Sequence, residues 1–361
     1  EISINYFNQS LGLSSKNLWW GPGISQSLTL SNNAPGFLHV FVENNKPIDL
    51  KLLKLNYKIL GGQLQNTAYD NKIPFIADTS KSINKRQDWR YLSAYQIEII
   101  PTFLSHLTLG VIRTVQQYSL TARENREWLP FGVGATRIAT QGADERDQQA
   151  SLYFDWALHP SQLRLYGEIG RNDSPQNLRD IAMSLMHSGA IVTGIEKGFS
   201  AFDQLFKFNY EYARLEKSGT YLLRSEPDWY LNGRVKHGYT QQGEFVGSGL
   251  NWGSNAHHFR INYYAKFHQI GISFDQIHNY QDFVNGYNLL AEKRLKLYPW
   301  IDFVPGLFVT GHLEKLMYQV KTQWVISQNY FWNQSPTISE AHWNIPVKHN
   351  LFLRLQLSYQ L

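Results

Sequence analysis

Cysteine is absent from this chain of 361 residues, so the chain can form neither a disulfide nor a thiolate metal site. No uninterrupted apolar run approaches the roughly 18 residues that a membrane-spanning helix needs. Residues 1–7 alternate between polar and apolar side chains, without the basic start or the apolar centre of a signal peptide. We therefore expect neither a disulfide scaffold nor a helical membrane protein, and we expect any export signal to have been removed.

Aromatic side chains are abundant, with 11 Trp, 21 Tyr and 20 Phe, yet the mean hydropathy is −0.38. This combination is typical of a membrane barrel wall, in which lipid-facing and lumen-facing side chains average out along each strand. The formal charge of +5 and the isoelectric point of about 9.1 suit contact with anionic sugars or lipid headgroups. Because the chain has no concentrated Lys/Arg run, we expect no nucleic-acid partner.

Side chains of alternating polarity are clearest in the last segment, residues 351–361. Alternate residues of a strand point to opposite sides of a sheet, so Arg354 and Gln356 share one face. The apolar face comprises Leu351, Leu353, Leu355, Leu357, Tyr359 and Leu361. This run of about 11 residues is the length that a tilted transmembrane strand requires.

The same alternation recurs along the whole chain, in residues 53–59, 152–158, 163–169, 206–212 and 258–267. A soluble β-sandwich also alternates, but here the apolar sets are almost purely aliphatic and aromatic, and the opposite sets carry full charges. At about 20 residues per strand and connection, the length implies roughly 16 to 18 strands. The sequence thus predicts an all-β fold, a transmembrane antiparallel β-barrel of about 18 strands, as one domain over residues 1–361.

One segment, residues 174–187, departs from the strand pattern. Its apolar side chains recur at helical spacing, and Ser174 and Pro175 suit the start of a helix. Gly189 follows as a natural stop, although another irregular strand is the alternative. We expect a short amphipathic helix that occludes one mouth of the barrel or its lumen.

Three segments resemble a known family. Residues 18–35 contain Trp-Gly-Pro-Gly followed by Ser-Leu-Thr-Leu-Ser-Asn-Asn-Ala, which resembles the signature of the capsule assembly Wzi family. Residues 237–247 and 166–173 resemble its Gly-Tyr-x-x-x-Gly-x-x-x-Gly region and its Tyr-Gly-Glu strand end. The resemblance implies an outer-membrane barrel of about 18 strands in a Gram-negative bacterium, with helical elements that block the lumen. It also implies lectin-like attachment of exported polysaccharide to the cell surface, without turnover chemistry.

The signature itself contains four candidate binding residues. Gly21-Pro22-Gly23 predicts a turn, and this structural role accounts for most of the motif. Trp19 and Trp20 face opposite sides if the chain is extended, so only one can anchor at the membrane interface. The other either stacks on a sugar ring or fills the lumen. Asn32 and Asn33 suit sugar hydroxyls, but they equally cap or turn a chain.

Motifs for catalysis are missing from the sequence. It contains neither Gly-x-Ser-x-Gly nor His-Glu-x-x-His. His257 and His258 are adjacent on a strand, so their rings face opposite sides and cannot share a metal ion. We predict no catalytic, cofactor-binding or metal-binding residues, and a surface hydrolase is the least favoured alternative.

Basic residues at lumen-facing positions are the remaining candidates for contact with polysaccharide: Arg164, Arg260, Lys266 and Arg354, with Tyr166 and Tyr264 beside them for sugar stacking. The same cations could instead line an anion-preferring diffusion porin or pair with carboxylates inside the wall. We expect an acidic surface or capsular polysaccharide as the partner, together with outer-membrane lipid and lipopolysaccharide. The expected state is a monomer without cofactors.

Overall fold

The computed structural model describes residues 1–67, 86–125, 146–172, 187–222, 226–265, 267–290, 297–332 and 346–359. These residues form eighteen strands: β1 (Ile2–Tyr6), β2 (Gln9–Ser14), β3 (His39–Asn44), β4 (Ile48–Asp49), β5 (Leu53–Leu64), β6 (Arg90–Pro101), β7 (Leu107–Tyr118), β8 (Arg146–Leu158), β9 (Leu163–Asn172), β10 (Gly189–Ala201), β11 (Gln204–Arg214), β12 (Thr240–Gln241), β13 (Glu244–Phe245), β14 (Asn255–Tyr264), β15 (His268–Asn279), β16 (Trp300–Leu313), β17 (Leu316–Gln328) and β18 (Val347–Tyr359).

The helices are short. The described α-helices are α1 (Ser119–Asn125) and α2 (Gln281–Leu290). Single 3₁₀ turns cover Thr102–Leu104, His159–Ser161, Gly219–Leu222 and Tyr330–Trp332. No helix in the described ranges is long and apolar enough to cross a membrane. The helix predicted over residues 174–187 falls almost wholly on 173–186, which lie outside the described residues.

Sixteen strands belong to one antiparallel sheet, in which neighbours in sequence are neighbours in space. The order runs from β1 through β11 and then from β14 to β18, with β4 pairing with β5 beside β3. The hairpin of β12 and β13 stands apart from this sheet. Among the described residues no pairing joins the two edge strands, β1 and β18. The prediction of an all-β antiparallel fold with about 18 strands is confirmed.

The two faces of the sheet have the polarity of a membrane wall. On β8, Leu152 is 60% exposed and Phe154 is 40% exposed, whereas the intervening Tyr153 is only 6% exposed. On β14 the apolar Phe259 is exposed and the polar His258 is buried. Apolar side chains outside and polar side chains inside reverse the pattern of a soluble sheet, as expected for a wall in contact with lipid. Strand register therefore decides which side chains reach the interior.

Connections at the two ends of the sheet differ in length. At one end they are short, at residues 7–8, 45–52, 102–106, 159–162, 202–203, 265–267 and 314–315. At the other end they are long, at residues 15–38, 65–89, 119–145, 173–188, 215–254, 280–299 and 329–346. Outer-membrane barrels have short periplasmic turns and longer extracellular loops. The two ends of this sheet differ in the same way.

Candidate functional site

The signature segment, residues 18–35, contacts side chains on the inner face of the sheet. It leaves β2 at the long-connection end and folds back through a turn at Gly21, whose φ of 104° favours glycine. A Cβ atom on Gly21 would lie only 2.7 Å from Oε2 of Glu168, an inward-facing residue of β9. The predicted turn is confirmed, and its glycine also allows the segment to approach the wall closely.

A single carboxylate on β11 holds the tip of this segment. Glu211 accepts the backbone N–H of Ile24 at 2.6 Å, of Ser25 at 3.1 Å and of Gln26 at 2.7 Å. The hydroxyl of Tyr166, on β9, donates to the same carboxylate at 2.8 Å. Glu211 is fully buried, and in the part of the chain described these donors satisfy its carboxylate oxygens. The arrangement fixes the signature segment to the wall through its backbone, independently of most of its side chains.

Two more wall residues contact the same segment. Arg164 of β9 donates to the carbonyl of Pro22 at 2.8 Å and forms a bidentate ion pair with Asp155 of β8. His258 of β14 contacts the Gln26 side chain at 3.2 Å and Asp275 of β15 at 2.8 Å. Inward-facing side chains of β8, β9, β11, β14 and β15 therefore belong to one network around the signature segment.

A second lumen segment, residues 226–254, packs beside the first. Arg90 of β6 is completely buried and donates to the carbonyls of Gly238 and Thr240, each at 2.7 Å. It also donates to the side chains of Asn66 at 2.8 Å and Gln116 at 3.0 Å. A guanidinium has five N–H donors and no acceptor, which suits a position surrounded by carbonyl oxygens. Arg90 thus ties the second segment to β6 and β7.

Tyr230 joins the two lumen segments to each other. Its hydroxyl donates to the carbonyl of Leu28 at 2.7 Å and accepts the backbone N–H of Ser248 at 2.6 Å. Nearby, Ser31 donates its backbone N–H to the carbonyl of Val246 at 2.9 Å. Complete burial raises the pKa of the Tyr230 hydroxyl above its usual value, so it remains a donor. The two segments form one packed body in the interior of the sheet.

A polar cluster closes the base of the second segment at the long-connection end. Glu226 accepts the Ser218 hydroxyl at 2.6 Å and lies 2.9 Å from Nδ1 of His187. Burial alone would raise the pKa of Glu226, but hydrogen bonds from Ser218, Thr220 and the backbone of Ser188 hold that pKa below its usual value. The Ser218 hydroxyl donates to the carboxylate, and the Thr220 hydroxyl lies 3.5 Å from Nδ1 of His187. These contacts tie residues 187–188 and 218–220 to Glu226 at the start of the second segment.

The four candidates in the signature occupy different environments. Trp20 is 3% exposed, bridges to Leu30 and packs in the interior, whereas Trp19 is 36% exposed and donates Nε1 to the carbonyl of Gly23. Trp20 thus fills the lumen, one of the two predicted alternatives. Asn33 donates to the carbonyl of Phe245 at 2.9 Å, and Asn32 is exposed. Their contact with polysaccharide stays a prediction.

Arg164 and Tyr166 lie together on the wall that holds the signature segment. The Arg164 guanidinium stands 4.6 Å from the centre of the Tyr166 ring, and Tyr166 is 1% exposed. The ring of Tyr166 also covers Gly194, where a Cβ atom would lie 2.3 Å from it. The pairing of lumen cations with wall carboxylates occurs at Arg164 and again at Lys207, which contacts Glu196 at 2.8 Å.

A cavity of about 490 Å³ opens beside Arg164 toward the short-connection end. It is lined by side chains of β9, β10, β11 and β14, among them Arg164, Glu196, Lys207 and Tyr264. Ligand cavities in proteins measure about 300 to 1,000 Å³, so a small saccharide would fit by volume. Its charged lining is already paired, which makes it a polar cavity with little free charge.

The third group of candidates lies on the inner face of β14–β18, which we call the open wall. Arg260 stands 5.5 Å from the centre of the Phe308 ring on β16. In the sheet register Phe308 pairs with Lys321 of β17, and Lys321 pairs with Arg354 of β18. Tyr264 shares the face of Arg260 because the two are four residues apart on one strand. Lys266 lies outside the described residues.

The open wall differs from the rest of the interior in the charge of its side chains. Lys321 lies within electrostatic range of Arg260, Arg354 and Asp275, and Asp275 is already engaged by His258. Within the described ranges, Arg260, Lys321 and Arg354 form no ion pair. No hydrogen bond joins either lumen segment to β16, β17 or β18 in the part of the chain described. The interior is therefore filled on one side and basic on the other.

The sequence does not mark Arg90 as functional. Alternation places Lys321 among the lumen-facing cations and Glu211 among the carboxylates with which such cations could pair. Alternation alone places all three inside but cannot distinguish an anchor from a ligand contact. Across the described ranges, no group of three His, Asp or Glu residues is arranged to hold a metal ion. The site is thus a basic and polar surface.

Comparisons with known proteins agree with this geometry. The model of the family described as capsule assembly protein Wzi matches residues 2–352. A search of the curated proteins finds no match. The fold is similar to the solved structure of Escherichia coli Wzi, described as an outer-membrane protein involved in group 1 capsule assembly and a carbohydrate-binding β-barrel, with a TM-score of 0.64 and 14% identity. The alignment covers 90% of this chain and 65% of that one, so this chain spans about 65% of its length. The likeness shows a β-barrel fold.

Proposed function

Because the chain belongs to the capsule assembly protein Wzi family, we propose that it attaches exported capsular polysaccharide to the surface of a Gram-negative cell. It does so as a monomeric barrel whose apolar outer face contacts outer-membrane lipid and lipopolysaccharide. The attachment is lectin-like and non-enzymatic: it holds the polymer through many weak contacts and neither forms nor breaks a covalent bond. The description of the E. coli relative as a carbohydrate-binding β-barrel involved in group 1 capsule assembly supports this proposal.

The observation that carries the proposal is the open wall. Arg260, Lys321 and Arg354 project from three strands of one face, and the described residues pair none of them with a carboxylate. Like charges held close together repel each other, and a bound anion relieves that repulsion. A polymer with repeated carboxylates would therefore be favoured over a neutral one.

Avidity follows from the number of contacts. A solvent-exposed charge contact is worth about 0 to 1 kcal/mol and weakens in salt. A polyvalent glycan can sum several such contacts, because each one already made raises the effective concentration for the next. Tyr264 and Phe308 add flat apolar surfaces for sugar rings on the same face. Strong retention thus needs no deep pocket.

The occupied side of the interior favours attachment over a diffusion porin. Hydrogen bonds join the signature segment and the second lumen segment to residues of β6, β7, β8, β9, β11, β14 and β15. A porin needs a continuous aqueous passage, whereas packed and hydrogen-bonded chain excludes water from the space that it fills. We expect the purified protein to give only small currents in a planar bilayer.

The test is polysaccharide retention on cells. Arg260→Gln, Lys321→Gln and Arg354→Gln are combined in one variant, and cell-attached and free polysaccharide are measured at low and high salt. We expect polymer to be released into the medium while its synthesis and export continue. Each single substitution should be nearly silent, since one contact contributes little.

The matched control removes three positive charges at the short-connection end, by Lys46→Gln, Lys51→Gln and Lys315→Gln. These side chains are exposed and lie in short connections between strands, not on the inner face of a strand. The control should retain polymer like the wild type. Normal retention by a correctly inserted open-wall variant would contradict electrostatic attachment at this wall.

A further inference from the structure

Six aromatic residues meet at the long-connection end of β15–β17. This aromatic platform consists of Tyr280, Phe283, Trp300, Tyr330, Phe331 and Trp332. Ring centres lie 4.8 Å apart for Trp300 and Tyr330, and 5.1 Å apart for Trp300 and Phe331. Trp332 joins the same group through Phe283 at 4.7 Å. Trp300 is 7% exposed and forms the base, whereas the other five rings are partly exposed.

The platform belongs to the lumen side of the wall. Asp302 accepts the Trp300 indole N–H at 2.7 Å and pairs in register with Ser327, which in turn pairs with Lys348. Residue 302 is six positions from Phe308 on the same strand, so both face the interior. Trp300 is eight positions from Phe308, so at about 3.3 Å per residue the platform lies roughly 26 Å along the open wall from the row of Phe308.

The backbone beneath these rings is unusual. Tyr280, Asn329, Phe331 and Trp332 all have φ between 51° and 54°, in the left-handed region that bulky side chains rarely adopt. Hydrogen bonds hold the conformation: Asn329 donates its backbone N–H to Pro346 at 2.8 Å and its amide to Tyr298 at 2.7 Å. Such strain concentrates at ligand sites, where surrounding contacts maintain it.

Among the described residues, two polar groups at the platform have no hydrogen-bond partner. The indole N–H of Trp332 and the Oδ1 atom of Asn329 are both buried without a hydrogen bond, and Asn329 is only 1% exposed. One is a donor and the other is an acceptor, the pair that a sugar hydroxyl satisfies. The ammonium of Lys348 stands 4.5 Å from the centre of the Tyr330 ring and adds a positive charge.

We propose that the aromatic platform is a binding subsite for one pyranose unit of an acidic polysaccharide. The apolar face of the sugar stacks on the Trp332 and Phe331 rings. A ring hydroxyl accepts the Trp332 N–H and another donates to Asn329, while Lys348 meets the sugar carboxylate. The inference rests on the proposed function for the class of polymer, but it concerns a different site from the charged row of the open wall. A chain along this wall would reach both.

The experiment measures binding of two defined probes, oligogalacturonate and neutral maltoheptaose, to the purified barrel in detergent. Trp332→Phe keeps a ring and removes the N–H. We expect the affinity for both probes to fall roughly threefold to tenfold, which is the contribution of one hydrogen bond. Lys348→Gln should lower the affinity for oligogalacturonate by up to about fivefold and leave the affinity for maltoheptaose unchanged. Trp324→Phe, at a lipid-facing position on β17, is the matched control and should change neither affinity.

Three outcomes overturn the proposal of a binding subsite at the platform. The first is unchanged affinity for both probes in folded Trp332→Phe and Lys348→Gln, and the second is no binding of either probe by the wild type. The third is quenching of Trp332 fluorescence by brominated lipid, taken as the difference between the wild type and Trp332→Phe, because that result places the ring at the membrane interface. Retention of polymer on cells is scored separately with the open-wall variant, so a failed platform is distinguishable from a failed attachment function.

Discussion

The carboxylate of Glu211 accepts the backbone N–H of Ile24 at 2.6 Å, across 187 positions of sequence. The amides of the next two residues bind the same carboxylate, so three consecutive N–H groups converge on one charge. Hydrogen bonds to charged groups are among the strongest in proteins, at about 1.5 to 3 kcal/mol each. This contact makes the signature segment a fixed part of the interior.

Glu211→Gln should loosen the signature segment. The amide keeps the shape, but it loses the charge and turns an NH₂ group toward donors. We expect a loss of roughly 3 kcal/mol in the free energy of unfolding and a larger, noisier current in planar bilayers. Gln269→Glu, on the inner face of β15 near the other end, serves as a control for altered lumen charge. Unchanged stability and current would show that the segment is held elsewhere.

Arg90→Met should release the second lumen segment. The substitution leaves the carbonyls of Gly238 and Thr240 buried without their donor, at a cost of about 3 kcal/mol or more. We expect faster protease cleavage within 226–254 while the barrel wall stays resistant. Arg123→Met, in α1, changes the same side chain outside the lumen and should not alter the cleavage rate.

Leu355→Arg tests the outward face of β18. Leu355 is 63% exposed and flanks the inward-facing Arg354. A cation against hydrocarbon near mid-strand should cost about 2 to 4 kcal/mol in folding into lipid vesicles. Gln356→Arg, one residue along and on the opposite face, should be tolerated. Equal folding yields for the two variants would contradict the assignment of faces.

Asp282, in α2, should make the long-connection end sensitive to pH. Burial raises the pKa of this carboxyl to about 7, with Asp228 and Glu216 adding to the effect and the neighbouring Lys217 opposing it. The folded protein therefore binds more protons than the unfolded chain between about pH 4 and pH 7. The contribution of α2 to the free energy of unfolding should therefore fall by roughly 1 to 3 kcal/mol as the pH rises through that window.

Limited proteolysis around α2 at about pH 5 and about pH 8 measures this effect. The wild type should be cleaved faster at the higher pH, after correction for the protease's own pH dependence on an unfolded substrate. Asp282→Asn is neutral at both values and should be cleaved at the same corrected rate. A wild type without pH dependence would mean that Asp282 stays ionised.

The strands and their faces could be predicted from the sequence because alternation is local. Leu355 and Arg354 take opposite sides whatever the rest of the chain does, and the same holds for Phe259 and His258. The turn at Gly21 could also be predicted, since glycine permits a positive φ and proline fixes φ at its own position. The Trp-Gly-Pro-Gly motif also indicated the family to which the chain belongs.

Which segments of the chain fill the lumen could not be predicted from local patterns of this kind. An amphipathic helix was expected over residues 174–187, because helical spacing is a visible signal. The segments that fill the described interior have no such periodicity, and their anchors, Glu211 and Arg90, look like any other inward polar residue. Their partners are backbone groups more than 140 positions away, which no local pattern records.

The sequence by itself determined a wall: antiparallel strands with apolar side chains outside, polar side chains inside and an excess of positive charge. Only the tertiary structure decided which cations remain available. Arg164 and Lys207 meet carboxylates on neighbouring strands, whereas the described residues form no ion pair with Arg260, Lys321 or Arg354 and join neither lumen segment to β16, β17 or β18 by a hydrogen bond. The physical reason is that alternation fixes the side to which a residue points, whereas a charge is neutralised by whatever the fold brings within a few ångströms of it.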